Sequence, residues 1–445
     1  MNRKISQQDL DSEIRSYLAG AGAAEPASLG DVLNRLPDRN REPHRSFPVL
    51  TTLPRFAAFA VVLILAAAAV GVPLLMSKPS PAVDGQTTSP AATVASGTFA
   101  PTGSMTTPRQ GATAVRLLDG RVLVAGGSSD PETALASAEL YDPKTGTFSA
   151  TGSMSTARNA YTVTLLRDGR VLFAGGSDDI GALASAELYD PATGRFSATG
   201  SLTSARDGHT ATLLSNGLVL IAGGQGGYSA VLASAELYDP KTGTFSATGS
   251  MTVARTGHSA APLADGRVLI AGGQTTTEIA GETHLSVLAS AELYDPSTGK
   301  FSPTGSMTAT RELPTVIRLS DGRVLFAGGS GGGPLGQGAV TSAELYDPTT
   351  GQFSRTGSMS SSGYWQAGAL LSDGRLLVAG GMTVFAKLDT AQLYDPKSGT
   401  FSLTGSLITG RDQATATLLD DGRVLLAGGV GPGGTVLASA ELYQP

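Results

Sequence analysis

The sequence predicts an all-β, seven-bladed propeller with four-stranded blades, and three observations predict it. A phrase ending in Ala-Gly-Gly recurs seven times, placing diglycines at Gly126-Gly127, Gly175-Gly176, Gly223-Gly224, Gly272-Gly273, Gly328-Gly329, Gly380-Gly381 and Gly428-Gly429. These lie 48 to 56 residues apart, and each is followed downstream by Leu-Tyr and usually Asp-Pro. The composition agrees: 58 of 445 residues are Gly, 6% are aromatic and 15% charged, which suits short strands and tight turns rather than helices.

The elements follow in chain order. Residues 1–54 read as a short cytoplasmic tail. Ser6 with Asp9, and Ser28 with Asp31, have the spacing of helix starts before Pro37 and Pro43 intervene. This tail either docks a cytoplasmic partner or simply fixes topology. Residues 55–77 read as one transmembrane helix, because Phe56 to Met76 carries no charge and roughly 20 apolar residues span a bilayer. The N-terminal flank holds Arg35, Arg39, Arg41, Arg45 and Arg55. The other flank has Lys78 and no further basic residue before Arg109, so the tail is expected inside and the repeats outside the cell membrane. Residues 78–96, rich in Pro, Ser and Thr, read as an extended tether, and 97–445 as the propeller.

Within a repeat, pattern and turn chemistry place four strands. In the second, Ala160–Leu166 is expected as strand one, Asp168-Gly169 as a two-residue hairpin turn, and Arg170–Ala174 as strand two. Ala184–Tyr189 follows as strand three, and a strand around Phe196–Thr199 completes the blade. The chain ends after Leu442-Tyr443, where one strand is missing, while Gly97-Thr98-Phe99 is an extra fourth strand before the first blade. Phe99 should therefore close the seventh blade.

A Tyr followed, after six intervening residues, by an aromatic recurs as Tyr141 and Phe148, Tyr189 and Phe196, Tyr238 and Phe245, Tyr294 and Phe301, Tyr346 and Phe353, and Tyr394 and Phe401. With the diglycine ending strand two, this resembles the kelch repeat. The phrases DGRVLVAGG and AELYDPKTGTF are similar to bacterial kelch proteins related to the central domain of galactose oxidase. The resemblance covers 97–445, with Phe where the family usually has Trp. It also raises copper oxidase chemistry, but that enzyme type uses a cysteine crosslinked to a tyrosine, and this chain has no cysteine. No cofactor and no metal site are expected.

Comparing the repeats with one another separates framework from site. Ten residues before each hairpin turn stands Arg109, Arg158, Arg206, Arg255, Arg311 or Arg411, but Gly363 in the sixth repeat. The Glu of strand three (Glu139, Glu187, Glu236, Glu292, Glu344, Glu441) becomes Gln392 in that same repeat. Paired losses imply a pair, Arg158 with Glu187 and Arg206 with Glu236 among them, formed across the bare diglycine of strand two.

Sites are sought where repeats differ. The loop after the diglycine is long in the fourth repeat (274–290) and the fifth (330–342), on the face away from the tight turns. On that face the starts of the first strands supply ligand-binding candidates: Tyr161, Asp207, His209, His258, Glu312, Tyr364, Trp365 and Gln366. Trp365, the only Trp, reads either as a recognition platform or as a filler for the space left at Gly363. His209 and His258 stand in Arg-x-Gly-His, a spelling common in kelch repeats, which implies a structural role for them.

The sequence displays no nucleophile with a base at diagnostic spacing and no phosphate loop. From residue 79 onward 22 Lys and Arg face 30 Asp and Glu, about 8 net negative charges, which excludes nucleic acid as a partner. The expected function is a membrane-anchored, non-enzymatic binding or scaffold module for a protein or carbohydrate. The alternatives are a glycan-processing enzyme using Asp207, His209, His258 and Glu312, and a sensor signalling through its tail.

Overall fold

A computed structural model of the chain describes residues 97–445 apart from 131–132, 228–229, 280–281, 332–337, 362 and 384–385. The tail, transmembrane helix and tether expected over 1–96 lie outside the described residues. Among the described residues, no helix is long and apolar enough to cross a membrane.

The described residues form seven four-stranded antiparallel sheets and two small hairpins. In the second blade the strands are Thr162–Leu165, Val171–Ala174, Ala186–Asp190 and Arg195–Ala198, hydrogen-bonded in that order. Inner strands of successive blades touch all the way round, and the inner strand of blade seven, Thr415–Leu418, touches that of blade one, Thr113–Arg116, so the ring is closed. Thr98–Pro101 pairs with Ala440–Gln444 as the outer strand of blade seven, with Phe99 opposite Tyr443.

Burial follows the layers. Every second strand, such as Val219–Ala222, is buried along its whole length, while the outer strands are mostly exposed. The core lies between blades: Leu172, Ala174 and Leu188 of blade two pack against Val219, Ile221 and Tyr238 of blade three. Each third-strand Tyr packs on the Phe of its own outer strand, with ring centroids 4.8 to 4.9 Å apart. Its hydroxyl meets a threonine of the preceding blade at 2.8 to 2.9 Å, from Thr151 with Tyr189 round to Thr404 with Tyr443 and Thr102 with Tyr141. The Thr-Gly after each outer strand is thus a blade-to-blade link that the sequence reading left unassigned.

Two local expectations are corrected. The Asp-Gly hairpin is not a two-residue loop with both positions left-handed. Gly120 donates to the Leu117 carbonyl, Leu117 donates to that of Arg121, and of the turn residues Gly120 alone has positive φ, 86°. This is a type I turn followed by a left-handed glycine bulge. The Asp side chain accepts from the Arg two residues on, Asp119 from both the amide and Nε of Arg121. Where the turn is Asn216-Gly217, the pairing Arg gives way to Leu218, and Asn216 still accepts its amide at 3.0 Å. The second correction concerns Ala160, expected at the start of a strand. Its φ is 48°, and the strand begins two residues later.

Candidate functional site at the mouth of the ring

The framework residues set the stage for the site. In six blades the Arg guanidinium is buried and meets the strand-three Glu at 2.6 to 3.1 Å. In blade three, Arg206 Nη1 donates to the carbonyls of Gly223 and Ser234, and Nη2 to Ser234 Oγ and Glu236. Glu236 also accepts the amides of Thr203 and Ser204. The clamp therefore pairs the buried charges through both Nη atoms, the condition for tolerating them. Nε also donates in blades three and seven, Arg206 to the Ser204 carbonyl and Arg411 to that of Thr409, and has no partner among the described residues in Arg109, Arg158, Arg255 and Arg311. A Cβ on Gly223 would stand 2.5 Å from the Arg255 carbonyl oxygen of the next blade, so the bare glycine also lets blades close up.

Blade six replaces this clamp with an uncharged network. Gln392 Oε1 accepts the Ser360 amide at 2.7 Å, its Nε2 donates to Ser361, and Gln366 Nε2 donates to the Gly380 carbonyl that an arginine serves elsewhere. A Cβ at Gly363 would meet Leu388 at 2.9 Å. Leu388 and Gln366, not Trp365, thus border the space that the arginine leaves. The reading of Trp365 as a filler is set aside: its side chain is 36% exposed.

The residue after each clamp position pairs through its backbone with the residue after the diglycine, Asp207 with Gln225 and Glu312 with Ser330 for example. One residue further the backbone turns left-handed in every blade: Gly111, Ala160, Gly208, Gly257, Leu313, Trp365 and Gln413 all have φ between 48° and 61°. Amides of these residues donate around the ring to the carbonyl of the preceding blade's counterpart, Gly208 to Ala160, Gly257 to Gly208, Leu313 to Gly257, Gln413 to Trp365 and Gly111 to Gln413, at 3.0 to 3.2 Å. The mouth is thus an annulus of left-handed residues joined by hydrogen bonds at five of its seven blade junctions. Glycine adopts this conformation at no steric cost; Leu313, Trp365, Gln413 and Ala160 adopt it against their preference.

The annulus is lopsided. Blades three and four contribute Gly208 and Gly257, so the annulus itself carries no side chain there; the Thr256 hydroxyl lies over Gly208, and the acids Asp207 and Glu312 border the sector. A Cβ at Gly257 would meet Glu312 Oε1 at 3.0 Å. The Asp207 carboxylate has no hydrogen bond or ion pair to the described residues, and burial alone pushes its pKa up to about 6. Burial likewise pushes Glu312 up to about 7, opposed by a hydrogen bond from the Gln274 amide. Asp412, nearly fully buried in blade seven, is paired with Lys387 at 2.9 Å; burial still raises its pKa, with Lys387 opposing. Across blades five and six the annulus carries Leu313, 46% exposed, and Trp365, whose ring lies 6.3 Å from that of Tyr364.

The predicted residues therefore divide. Asp207, Glu312, Tyr364 and Trp365 all lie at the mouth, in blades three, five and six, with Tyr364 beside Trp365. Tyr161, His209 and His258 do not join them: each is buried in a blade junction, bonded to the first-strand threonine of the preceding blade, Thr113, Thr162 or Thr210, at 2.8 to 3.0 Å. As ligand-binding candidates these three are corrected to structural residues, and burial drives both histidines down to about 3, which keeps them neutral. Gln366 belongs to the blade-six network. Sequence reading missed Leu313 and Gln413, although the same alignment of repeats that isolated Trp365 places them at its position. The long loops of blades four and five form hairpins on this face, Gln274–Ile279 with Glu282–Val287 and Ser330–Gly331 with Gly338–Ala339.

The opposite face has shallow grooves lined by Asp265, Asp321, Gly322 and Arg323, and by Asp373, Asp421 and Gly422. These are equivalent turn residues at different blade junctions, so the repeat accounts for them.

Comparison with known proteins agrees with this architecture. The Kelch motif family model matches residues 111–155 and 208–252, within a ring whose seven blades share those residues' structure. The chain is a kelch-repeat protein. A solved structure similar to this kelch propeller is described as a novel fungal alcohol oxidase with catalytic diversity among the AA5 family, in complex with copper. It is 19% identical, with a TM-score of 0.63, over 78% of this chain and 76% of that one, a likeness of fold. No curated protein sequence matches the chain. Copper does not fit the side chains present: no group of three His, Cys, Asp or Glu among the described residues could hold a metal ion, and both propeller-core histidines are committed to threonines.

Proposed function

We propose that this kelch propeller is a binding module that takes a protein or carbohydrate ligand at the mouth of its ring and is held at a membrane by Phe56–Met76, with the propeller outside the cell. The observation that carries the reading is the division between blades. Residues common to the blades are explained by clamps, turns and junctions, whereas Glu312, Leu313 and Trp365 each occur in one blade only and Asp207 recurs only as the lysine-paired Asp412. All four stand at the starts of first strands on one face, Leu313 and Trp365 exposed and the two acids part-buried. Loops and rims presented by a rigid scaffold are where binding is usually found.

The test is a parallel screen of full-length protein on glycan and peptide arrays. Wild type and a turn-face control, Leu118→Ser, should retain a common ligand that Asp207→Asn/Glu312→Gln loses; retention by all three proteins contradicts the reading. For the membrane anchor, a C-terminal epitope should be reachable by antibody on intact cells, and an N-terminal one only after permeabilisation. A second reading, a glycan-processing enzyme, is favoured by the two raised carboxyls alone, since acids poised near neutrality suit proton transfer. Turnover of any glycan that the double variant abolishes would establish it.

A further inference from the structure

Resting on the reading of the mouth as a binding site, we infer that its ligand is a protein segment presenting a lysine or arginine beside an aliphatic or aromatic side chain. Two features of the rim select this partner. Leu313 and Trp365 occupy neighbouring positions of the annulus, are exposed, and hold a left-handed backbone for which three other blades use glycine. An exposed apolar pair kept in a conformation that disfavours it contributes nothing visible to the fold, and it forms a surface against which an apolar side chain loses water.

The second feature is charge. Glu312 adjoins Leu313 in sequence, and its one side-chain partner is the neutral Gln274 amide. Asp207 has no partner among the described residues, and the side chains nearest Gly208 and Gly257, between the two acids, are the neutral Thr256 and Glu312 itself. Lys387, in the blade-six loop, is already paired with Asp412. A half-buried carboxylate facing no cation is completed by a cation that the ligand brings, and Trp365 adds a ring face for the same group. A neutral sugar would satisfy the ring and leave both acids without a counter-charge.

The experiment is selection of a random phage-displayed peptide library on immobilised full-length protein in detergent, with a glycan array run on the same preparation. Enriched peptides should carry Lys or Arg next to Leu, Ile or an aromatic, and should bind more weakly as salt rises. Leu313→Gly/Trp365→Gly, which suits the backbone conformation, should weaken them roughly 10-fold or more, and so should Asp207→Asn/Glu312→Gln. Peptides without a basic residue, no enrichment at all, or binding indifferent to the acid pair would overturn the inference. A glycan whose binding depends on Trp365 would overturn it while leaving the mouth as the site. Ligands indifferent to both variants would defeat the site itself.

Discussion

The buried Arg–Glu clamp and its single exception set out what one side chain does here. Removing one member strands a charge in the core, at a cost of about 3–5 kcal/mol, so Arg206→Gly should lower unfolding free energy in urea by about that much. The pair Arg206→Gly/Glu236→Gln, which copies blade six, should cost clearly less than Arg206→Gly alone, because no unpaired carboxylate remains. Protonation gives a second prediction, with two opposite signs. Asp207 and Glu312 are raised to about 6 and 7 in the fold, so the native state holds their protons more tightly and they lose stability as pH rises through that range. Asp207→Asn/Glu312→Gln should therefore raise Tm at pH 7.5 and leave it nearly unchanged at pH 4. His209 and His258 run the other way. Lowered to about 3 from an ordinary 6.5, they support the native state above pH 6.5 and weaken it progressively as pH falls toward 3.

Strands and turns were the most legible level, because the chain restates each of them seven times. Tyr189 facing Phe196, the closing strand at Phe99 and the Arg–Glu pairing could all be read from repeat spacing alone. The hairpin turn was harder: Asp-Gly spells both the two-residue loop and the glycine-bulge turn, and the flanking Leu117 and Arg121 hydrogen bond decides between them. The annulus was the least legible. Its members share a left-handed backbone without sharing a residue type, and only contact with the neighbouring blade imposes that conformation on Leu313 and Trp365. The histidines were legible in part: Arg-x-Gly-His pointed to the structural role they have, but as ligand candidates they also looked free, since a polar side chain at the rim of a repeat does so until the next blade is placed against it. Blade six, lacking the clamp, should also be the loosest element. Hydrogen exchange of Leu376–Ala379 and Ala391–Asp395 should run faster than that of Val324–Ala327 and Val424–Ala427, and equal or slower exchange would show that the Gln392 network holds as well as the charged one.

The closed ring distributes labour between repetition and exception. Threonine–tyrosine links, clamps and bare diglycines recur from blade to blade and make a rigid support, latched by Thr98–Pro101 in the seventh blade. Apart from the blade-six clamp and the turn at Leu218, departures from the repeat lie on one rim: the acids of blades three and five flanking two glycines, the exposed apolar pair of blades five and six, and the two hairpins beside them. If the rim serves binding and the repeats serve folding, the apolar pair is dispensable for stability. A left-handed non-glycine residue costs roughly 1–2 kcal/mol, partly offset by the roughly 0.5–1 kcal/mol that a glycine loses in chain entropy. Thermal unfolding of Leu313→Gly/Trp365→Gly is the direct measurement: a Tm equal to or above wild type is expected, and a fall of several degrees would show that these side chains hold the ring together instead of facing a ligand.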